Sequence, residues 1–404
     1  MSFIKLGNNF KSKTLFNGLR SFASITTQQQ QQLQKKASLE LENGPTLKGK
    51  SFGANKSMCG ELVFSTSQVG YPESMTDPSY KGQILVFTQP LIGNYGVPGN
   101  ERDEFGILKF FESEKIHVNG IIVSNYSEKY SHWNAVKSLS EWCIEHNIPA
   151  LSDVDTRALT KMLRDNGSSL GRINIGHEVV PFEDPNERNL VSEVSTKNVQ
   201  VFNKGGDVVI GLIDCGVKNN IIRCLAKRGA EVHLYPWDTD LSKVEYDGLF
   251  ISNGPGDPTS CQITIDNLKK QIMEKDPAPI FGICMGNLLL GLSTGAQSYK
   301  LKHGNRGHNQ PALNLTTGVG VITSQNHGFA IKEDTLPSDW VPYFRNINDG
   351  SNEGIRHVSK PISSVQFHPE SMGGPQDSEY LFDLFLQKVR AYKAFEVKEE
   401  AIQA

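Results

Sequence analysis

The hydrophobic pattern changes character about halfway along the chain. Near the start, GELVFSTSQVGY (Gly60–Tyr71) interleaves β-branched and aromatic residues with polar ones, and turns at Asp77-Pro78 and Gly93-Asn94 punctuate the next stretch. Residues 47–120 therefore predict short strands joined by turns. Helical patterns come next, at Ser140–His146 and Asp155–Arg164. In the second, Asp155 or Thr156 supplies the N-cap, Leu159, Met162 and Leu163 make one apolar face, and Gly167 stops the helix. A Gly-rich polar stretch then leads to Lys204-Gly-Gly-Asp207, which reads as the break between domains.

Beyond the break, strands and helices alternate. Asp207–Gly216 is a continuous apolar run, as expected of a strand buried on both faces. Lys218–Gly229 reads as an amphipathic helix and Ala230–Trp237 as a second strand. Tyr246–Pro258 is a third strand running into a Gly/Pro loop, Cys261–Lys275 a helix, and Ala278–Ile283 a fourth strand that ends at Cys284. This is the spacing of βαβ units. The predicted fold class is α/β: a doubly wound C-terminal domain over 207–392, a linker over 191–206, and a smaller strand-rich α+β domain over 40–190. Residues 393–404 read as a polar tail.

A chain of 404 residues is long for one core and comfortable for two. The net charge of -3 leaves no electrostatic footprint for nucleic acid, and no apolar run is long enough to span a membrane. The six cysteines form no CxxC pair and no zinc-ligand spacing, so no metal site is expected, and scattered thiols in a large chain read as reduced. The N-terminus differs from the rest. No Asp or Glu precedes Glu40, while Lys5, Lys11, Lys13, Arg20, Lys35 and Lys36 stand among many Ser and Thr. Leu15, Leu19 and Phe22 fall on one helical face. That is the pattern of a mitochondrial transit peptide over residues 1–39, cleaved between Arg20 and Leu39, which directs the protein to the mitochondrial matrix. The alternative is a solvated tail around the glutamine run Gln28–Gln32.

Three pieces of the second half carry chemistry, and each lies past a strand end, where open α/β sheets place their sites. Gly282-Ile-Cys284-Met-Gly286 has the form of a nucleophile elbow, with small neighbours that let the chain turn and expose the central side chain. The helix after it is expected to lower the thiol pKa. Val365-Gln-Phe-His368-Pro-Glu370 delivers an imidazole and then a carboxylate, a base with its orienting partner. Ser252-Asn-Gly254-Pro-Gly256-Asp-Pro258 can aim backbone N–H groups at a developing oxyanion, with the amide of Met285 as the other donor. Both phosphate-loop signatures are absent.

Together with QNHGFA (Gln325–Ala330), these pieces resemble the class I, triad-type glutamine amidotransferases. Residues 60–84, LIGNYG, DVDTRALTKMLRDNG and NRGHNQP narrow the resemblance to the small, glutamine-hydrolysing chain of carbamoyl phosphate synthase, from about Leu47 to Lys388. The resemblance implies that Cys284 attacks the side-chain amide of L-glutamine to form a thioester, that His368 is the base and then the acid, and that Glu370 orients it. It implies that Gly254, Gly256 and Met285 serve the oxyanion side. Ser79 would reach the pocket from the N-terminal domain, and Asn326, Gly328 and Phe329 would line the substrate's backbone end. The chain departs from the family's C-L-G-H-Q at Asn287 and Leu288, and Leu288 cannot make the polar contact made by that glutamine.

No P-loop and no segment of ATP-grasp length is present. The resemblance thus implies no cofactor on this chain, with ATP and Mg on a separate large synthetase chain as partner, and carbamoyl phosphate supplied to arginine or, second, pyrimidine synthesis. The alternatives are a different amidotransferase, which the N-terminal domain argues against, and a docking subunit whose glutaminase is impaired.

Overall fold

The computed structural model describes residues 36–403. The N-terminal half is a closed barrel. Its strands are β1 (Lys36–Leu41), β2 (Thr46–Ser51), β3 (Met58–Ser65), β4 (Gln83–Phe87), β6 (Gly120–Ile122), β8 (Ala150–Ser152) and β9 (Ser169–Ile175), in the order β1-β2-β8-β6-β4-β3-β9. The short strands β5 (Val97–Pro98) and β7 (Ala135–Lys137) pair with each other outside it. Because side chains alternate along a strand, the barrel strands feed two cores. Leu62, Ile84, Val86, Ile122 and Ile173 pack on one face, and Val63, Leu85, Phe87 and Ile121 on the other.

Among the described residues three helices belong to this half: α1 (Tyr71–Thr76), α2 (Leu139–Glu145) and α3 (Thr156–Asn166). α2 begins with a capping box, Ser138 with Glu141, and α3 is capped by Asp155, whose carboxylate accepts the Ala158 N–H.

Closure of the barrel is not legible in the sequence. β9 falls in the stretch that reads as Gly-rich and polar. It alternates Gly171, Ile173 and Ile175 inward with Arg172 and Asn174 between them, and pairs with both β1 and β3. Three boundaries also move. Residues 36–39, which the charge pattern assigns to the leader, lie in β1, where Leu39 is fully buried between β2 and β9; the rest of the transit-peptide reading lies outside the described residues. The expected linker is structured: α4 (Leu190–Val194) buries Val191 in the second domain's core, and β10 (Gln200–Phe202) pairs with that domain's sheet. The expected polar tail continues α8 (Tyr380–Gln403).

The second half is one ten-stranded sheet. Its parallel centre contains β11 (Val209–Asp214), β12 (Glu231–Pro236), β13 (Gly248–Ile251), β14 (Ile280–Ile283) and β19 (Ile362–Val365), ordered β12-β11-β13-β14-β19. Helices α5 (Asn219–Lys227) and α8 cover one face, α6 (Gln262–Met273) and α7 (Met285–Ser293) the other, as in a doubly wound domain. Beyond β19 the sheet turns antiparallel through β18 (Asn352–His357), β17 (Trp340–Asn346), β15 (Ser298–Asn314) and β16 (Gly320–Ile331). No helix among the described residues is long and apolar enough to cross a membrane.

Candidate active site

Cys284 lies between β14 and α7 with φ 55° and ψ −101°, a conformation that L side chains rarely adopt. The flanking glycines explain how the chain tolerates it. A Cβ on Gly286 would sit on the Ile251 carbonyl, and one on Gly282 would meet the Gly286 carbonyl at 2.7 Å. Only glycine lets α7 pack this closely on β13 and β14. The Cys284 N–H donates to the Val365 carbonyl at 2.8 Å, which ties the elbow to β19. Ile283 and Val365 are register partners on these adjacent parallel strands, so the chain carries His368 past the same sheet edge as Cys284.

His368 is buried. Its Nδ1 lies 2.8 Å from Oε1 of Glu370, while its Nε2 is buried without a hydrogen-bond partner. The His368 N–H donates to the Ser324 carbonyl at 2.8 Å. The Cys284 thiol donates to the Asn326 carbonyl at 3.6 Å. The expected lowering of its pKa is not what the site produces. Burial pushes the Cys284 thiol well up, and the charges of Asp77 and Glu370 add to this; Lys218 and the Met285 N–H pull only partly the other way. At rest the sulfur keeps its proton, so a neighbouring base has to take it.

The carboxylate side of the site contains residues that the motifs did not announce. Lys218, just past β11, places Nζ 2.7 Å from the Glu370 oxygen that faces His368. Burial works against the Lys218 ammonium, but Glu370, Glu112 and Asp77 outweigh it and keep it charged. Burial would likewise raise the Glu370 carboxyl, yet Lys218 and His368 hold it at about 2. Asn220 donates from Nδ2 to the Glu370 carbonyl, and its own N–H meets Glu112 Oε2 at 3.2 Å.

A second cluster joins the two halves. Asn253 donates from Nδ2 to Ser79 Oγ at 2.8 Å and to Asp77 Oδ1 at 3.3 Å, and Asn326 Nδ2 donates to Asp77 Oδ2 at 3.1 Å. Asp77 also caps the turn that carries Ser79. Asn253 lies inside the SNGPGDP loop and Asp77 two residues before Ser79, so proximity to a motif was the available signal. Lys218 had only its place at a strand end.

One cavity is lined by Ser79, Gly254, Gly256, Cys284, Met285, Leu288, Asn326, Gly328 and Phe329. These are the proposed nucleophile and every substrate-side residue named from the sequence. His368 and Glu370 stand outside this lining. Asn287 does not face the cavity; its amide is engaged by Ser364 Oγ and Gln366 Oε1, each at 2.8 Å. Gly254 is required by packing as well, since a Cβ there would strike the Cys215 carbonyl, and Gly256 has φ 84°. Among the described residues no three His, Cys, Asp or Glu side chains gather as metal ligands, and the six cysteines are free.

Comparison with known proteins accounts for both halves. Residues 211–388 match the class I glutamine amidotransferase family, and residues 39–173 match the CPSase domain of the carbamoyl-phosphate synthase small chain. The carbamoyl phosphate synthase arginine-specific small chain of Chaetomium globosum is 57% identical over 365 residues, spanning 88% of this chain and 79% of that one.

This chain belongs to the carbamoyl phosphate synthase small-chain family.

Family members with the same arginine-specific name from Neurospora crassa and Saccharomyces cerevisiae are 57% and 55% identical. They cover 89% of this chain each, and 81% and 90% of their own lengths. In this chain Ser79 of the N-terminal domain and Cys284 of the amidotransferase domain line one cavity, and Asp77 ties the two domains through Asn253 and Asn326.

Proposed function

We propose that the chain hydrolyses L-glutamine through a Cys284-His368-Glu370 triad and hands ammonia to a separate large synthetase chain. That partner joins ammonia to bicarbonate with ATP and Mg to form carbamoyl phosphate; this chain needs no cofactor of its own. The observation that carries the reading is the buried His368, held through Nδ1 by Glu370 with Nε2 left open, past the same sheet edge as the strained Cys284.

His368 Nε2 takes the thiol proton as the sulfur attacks the side-chain amide carbon. The oxyanion that forms is met by the Met285 N–H and the backbone of the Gly254–Gly256 loop. His368 then gives the proton to the amide nitrogen, the C–N bond breaks, ammonia leaves, and a γ-glutamyl thioester remains on Cys284. Water, deprotonated by His368, attacks the thioester; the thiolate leaves, takes the proton back, and glutamate is released. Glu370 stabilises the imidazolium in both halves, and Lys218 keeps Glu370 ionised.

The arginine-specific names of the relatives support supply to arginine synthesis, with pyrimidine synthesis second. The acid-free N-terminus supports a mitochondrial matrix address. Sequencing the N-terminus of the protein recovered from cells tests the address, and an intact Met1 in an organelle-free fraction overturns it.

The functional test is reconstitution with the large chain. Wild type is expected to drive synthesis from glutamine, whereas Cys284→Ser is expected to lose this and keep synthesis from ammonium. Equal glutamine activity in both contradicts the nucleophile. No glutamine activity in the wild type favours a docking subunit with an impaired glutaminase.

A further inference from the structure

The thiol and the base of the triad do not meet at rest. Cys284 Sγ donates to the Asn326 carbonyl at 3.6 Å, while His368 Nε2 is buried without a hydrogen-bond partner. The proton that His368 has to take is therefore aimed at a peptide carbonyl on β16. The same strand seats the base, because the His368 N–H donates to the Ser324 carbonyl two residues earlier. Alternate residues of one strand thus hold the two reacting groups on separate partners.

Backbone pairing fixes the Asn326 carbonyl only loosely. Asn326 is in the middle of a short ladder that runs from Asn305 with His327 to Gly307 with Gln325, and the register breaks on both sides of it. The firm hold is on the side chain, whose Nδ2 donates to Asp77 Oδ2 at 3.1 Å. Asp77 is 5% exposed, and its other oxygen accepts the Ser79 N–H at 2.8 Å and Asn253 Nδ2 at 3.3 Å. Every partner of its two oxygens among the described residues is a donor, as an ionised carboxylate requires. One side chain of the N-terminal domain thus grips both the loop after β13 and strand β16. Charge acts in the same direction as geometry. Burial disfavours the Cys284 thiolate most, and the Asp77 and Glu370 charges add to it against Lys218.

We propose that Asp77 is a positioning residue for the nucleophile: through Asn326 it keeps the Cys284 thiol turned to the peptide carbonyl and away from His368, and glutamine hydrolysis requires this hold to yield. The proposal rests on the reading of Cys284 as the nucleophile. It makes the end of α1, outside the amidotransferase domain, the place from which the resting thiol is set.

Asp77→Asn keeps the shape but not the donor pattern. Its carbonyl can serve the two donors on the Oδ1 side, which leaves its NH2 facing Asn326 Nδ2, so the grip on Asn326 breaks. The test measures, against pH, the rate at which iodoacetamide alkylates Cys284 in the isolated chain, for wild type, Asp77→Asn, Asp77→Glu and Asn326→Ala. The charged groups that shape this profile are Asp77 from the N-terminal domain, Lys218 beyond β11, and His368 and Glu370 beyond β19.

Asp77→Asn is expected to react roughly tenfold or more faster at neutral pH, the scale of one lost hydrogen bond to a charged group, with its profile shifted to lower pH. Asp77→Glu keeps the charge and should stay closer to wild type. Asn326→Ala keeps the Asp77 charge but loses the grip, so it should react faster than wild type with a smaller shift in pH. Cys215 and Cys261, fully buried in the same domain, report general loosening and should label as slowly as in wild type. An Asp77→Asn chain that supports synthesis from ammonium in the reconstituted complex, yet is alkylated at the wild-type rate, overturns the proposal. So does faster labelling of all three thiols. If Asp77→Asn does not support synthesis from ammonium, Asn326→Ala decides, and an unchanged rate there overturns the proposal. Glutamine-dependent synthesis that survives Cys284→Ser refutes the underlying nucleophile reading instead.

Discussion

Lys218 Nζ and His368 Nδ1 meet the same carboxylate oxygen, Glu370 Oε1, at 2.7 and 2.8 Å. The second oxygen, Oε2, is buried and unpartnered. A carboxylate shared in this way stays ionised in a dry site without being committed to the lysine alone. Glu370 can then stabilise an imidazolium when His368 takes the thiol proton. Replacing Glu370 by Gln keeps the shape and removes the charge. The kcat for glutamine hydrolysis is expected to fall by about 10²- to 10⁴-fold, with synthesis from ammonium in the reconstituted complex as the check on folding. Near-normal glutamine turnover would remove Glu370 from the triad.

Glu112 gives a stability prediction of defined sign. Burial is the main reason its carboxyl is pushed up to about 7, with Glu370 and Asp77 adding to the effect and Lys218 opposing it. A folded-state pKa above the unfolded one stabilises the protein fully below the unfolded value, near 4.5, and that contribution is lost as pH rises through 7. Glu112→Gln can still accept the Asn220 N–H but has no charge to desolvate. The variant should therefore gain melting temperature over wild type at pH 8, and the gain should shrink as pH falls towards 5. Thermal unfolding at the two pH values reads this directly, and a gain that grows towards acid contradicts it.

The backbone at Cys284 stores strain. A non-glycine residue held at positive φ costs on the order of 1 kcal/mol or more relative to glycine. Cys284→Gly should therefore unfold at a higher temperature than Cys284→Ala, although both lack the thiol. Equal melting temperatures would show that the elbow is not strained.

Leu288 sits 3% exposed on the cavity wall. Leu288→Gln puts a polar side chain on the cavity wall and should lower the glutamine KM by no more than about tenfold, which is what one neutral hydrogen bond supplies. A drop of about a hundredfold or more would mean that Leu288 leaves the substrate short of an anchor that the rest of the cavity does not replace.

How much of the molecule is readable from the chain depends on where each signal lies. The parallel sheet announces itself because βαβ units are local and its strands are continuous apolar runs such as Val208–Ile213. Cys284, His368 and Glu370 stand inside short contiguous motifs. The barrel does not, since β6 and β8 are three residues each and β1 closes against β9 through pairs such as Leu39 with Ile173, far apart in sequence. The β15–β16 hairpin carries Gly304, Gly307 and Pro311 within its strands and breaks register twice, so neither strand shows a period. Lys218 is a residue type usually found at the surface. It is buried here beside Glu370 and Glu112, both more than 100 residues away in sequence, and no local pattern encodes that.

The most direct test of the account is the covalent intermediate itself. The wild-type chain, mixed with glutamine and quenched in acid during turnover, is digested and weighed by mass spectrometry. One glutamyl group is expected on the peptide containing Cys284, removed by mild base and absent in Cys284→Ser. A chain that hydrolyses glutamine with no adduct, or with the adduct on any other residue, contradicts it.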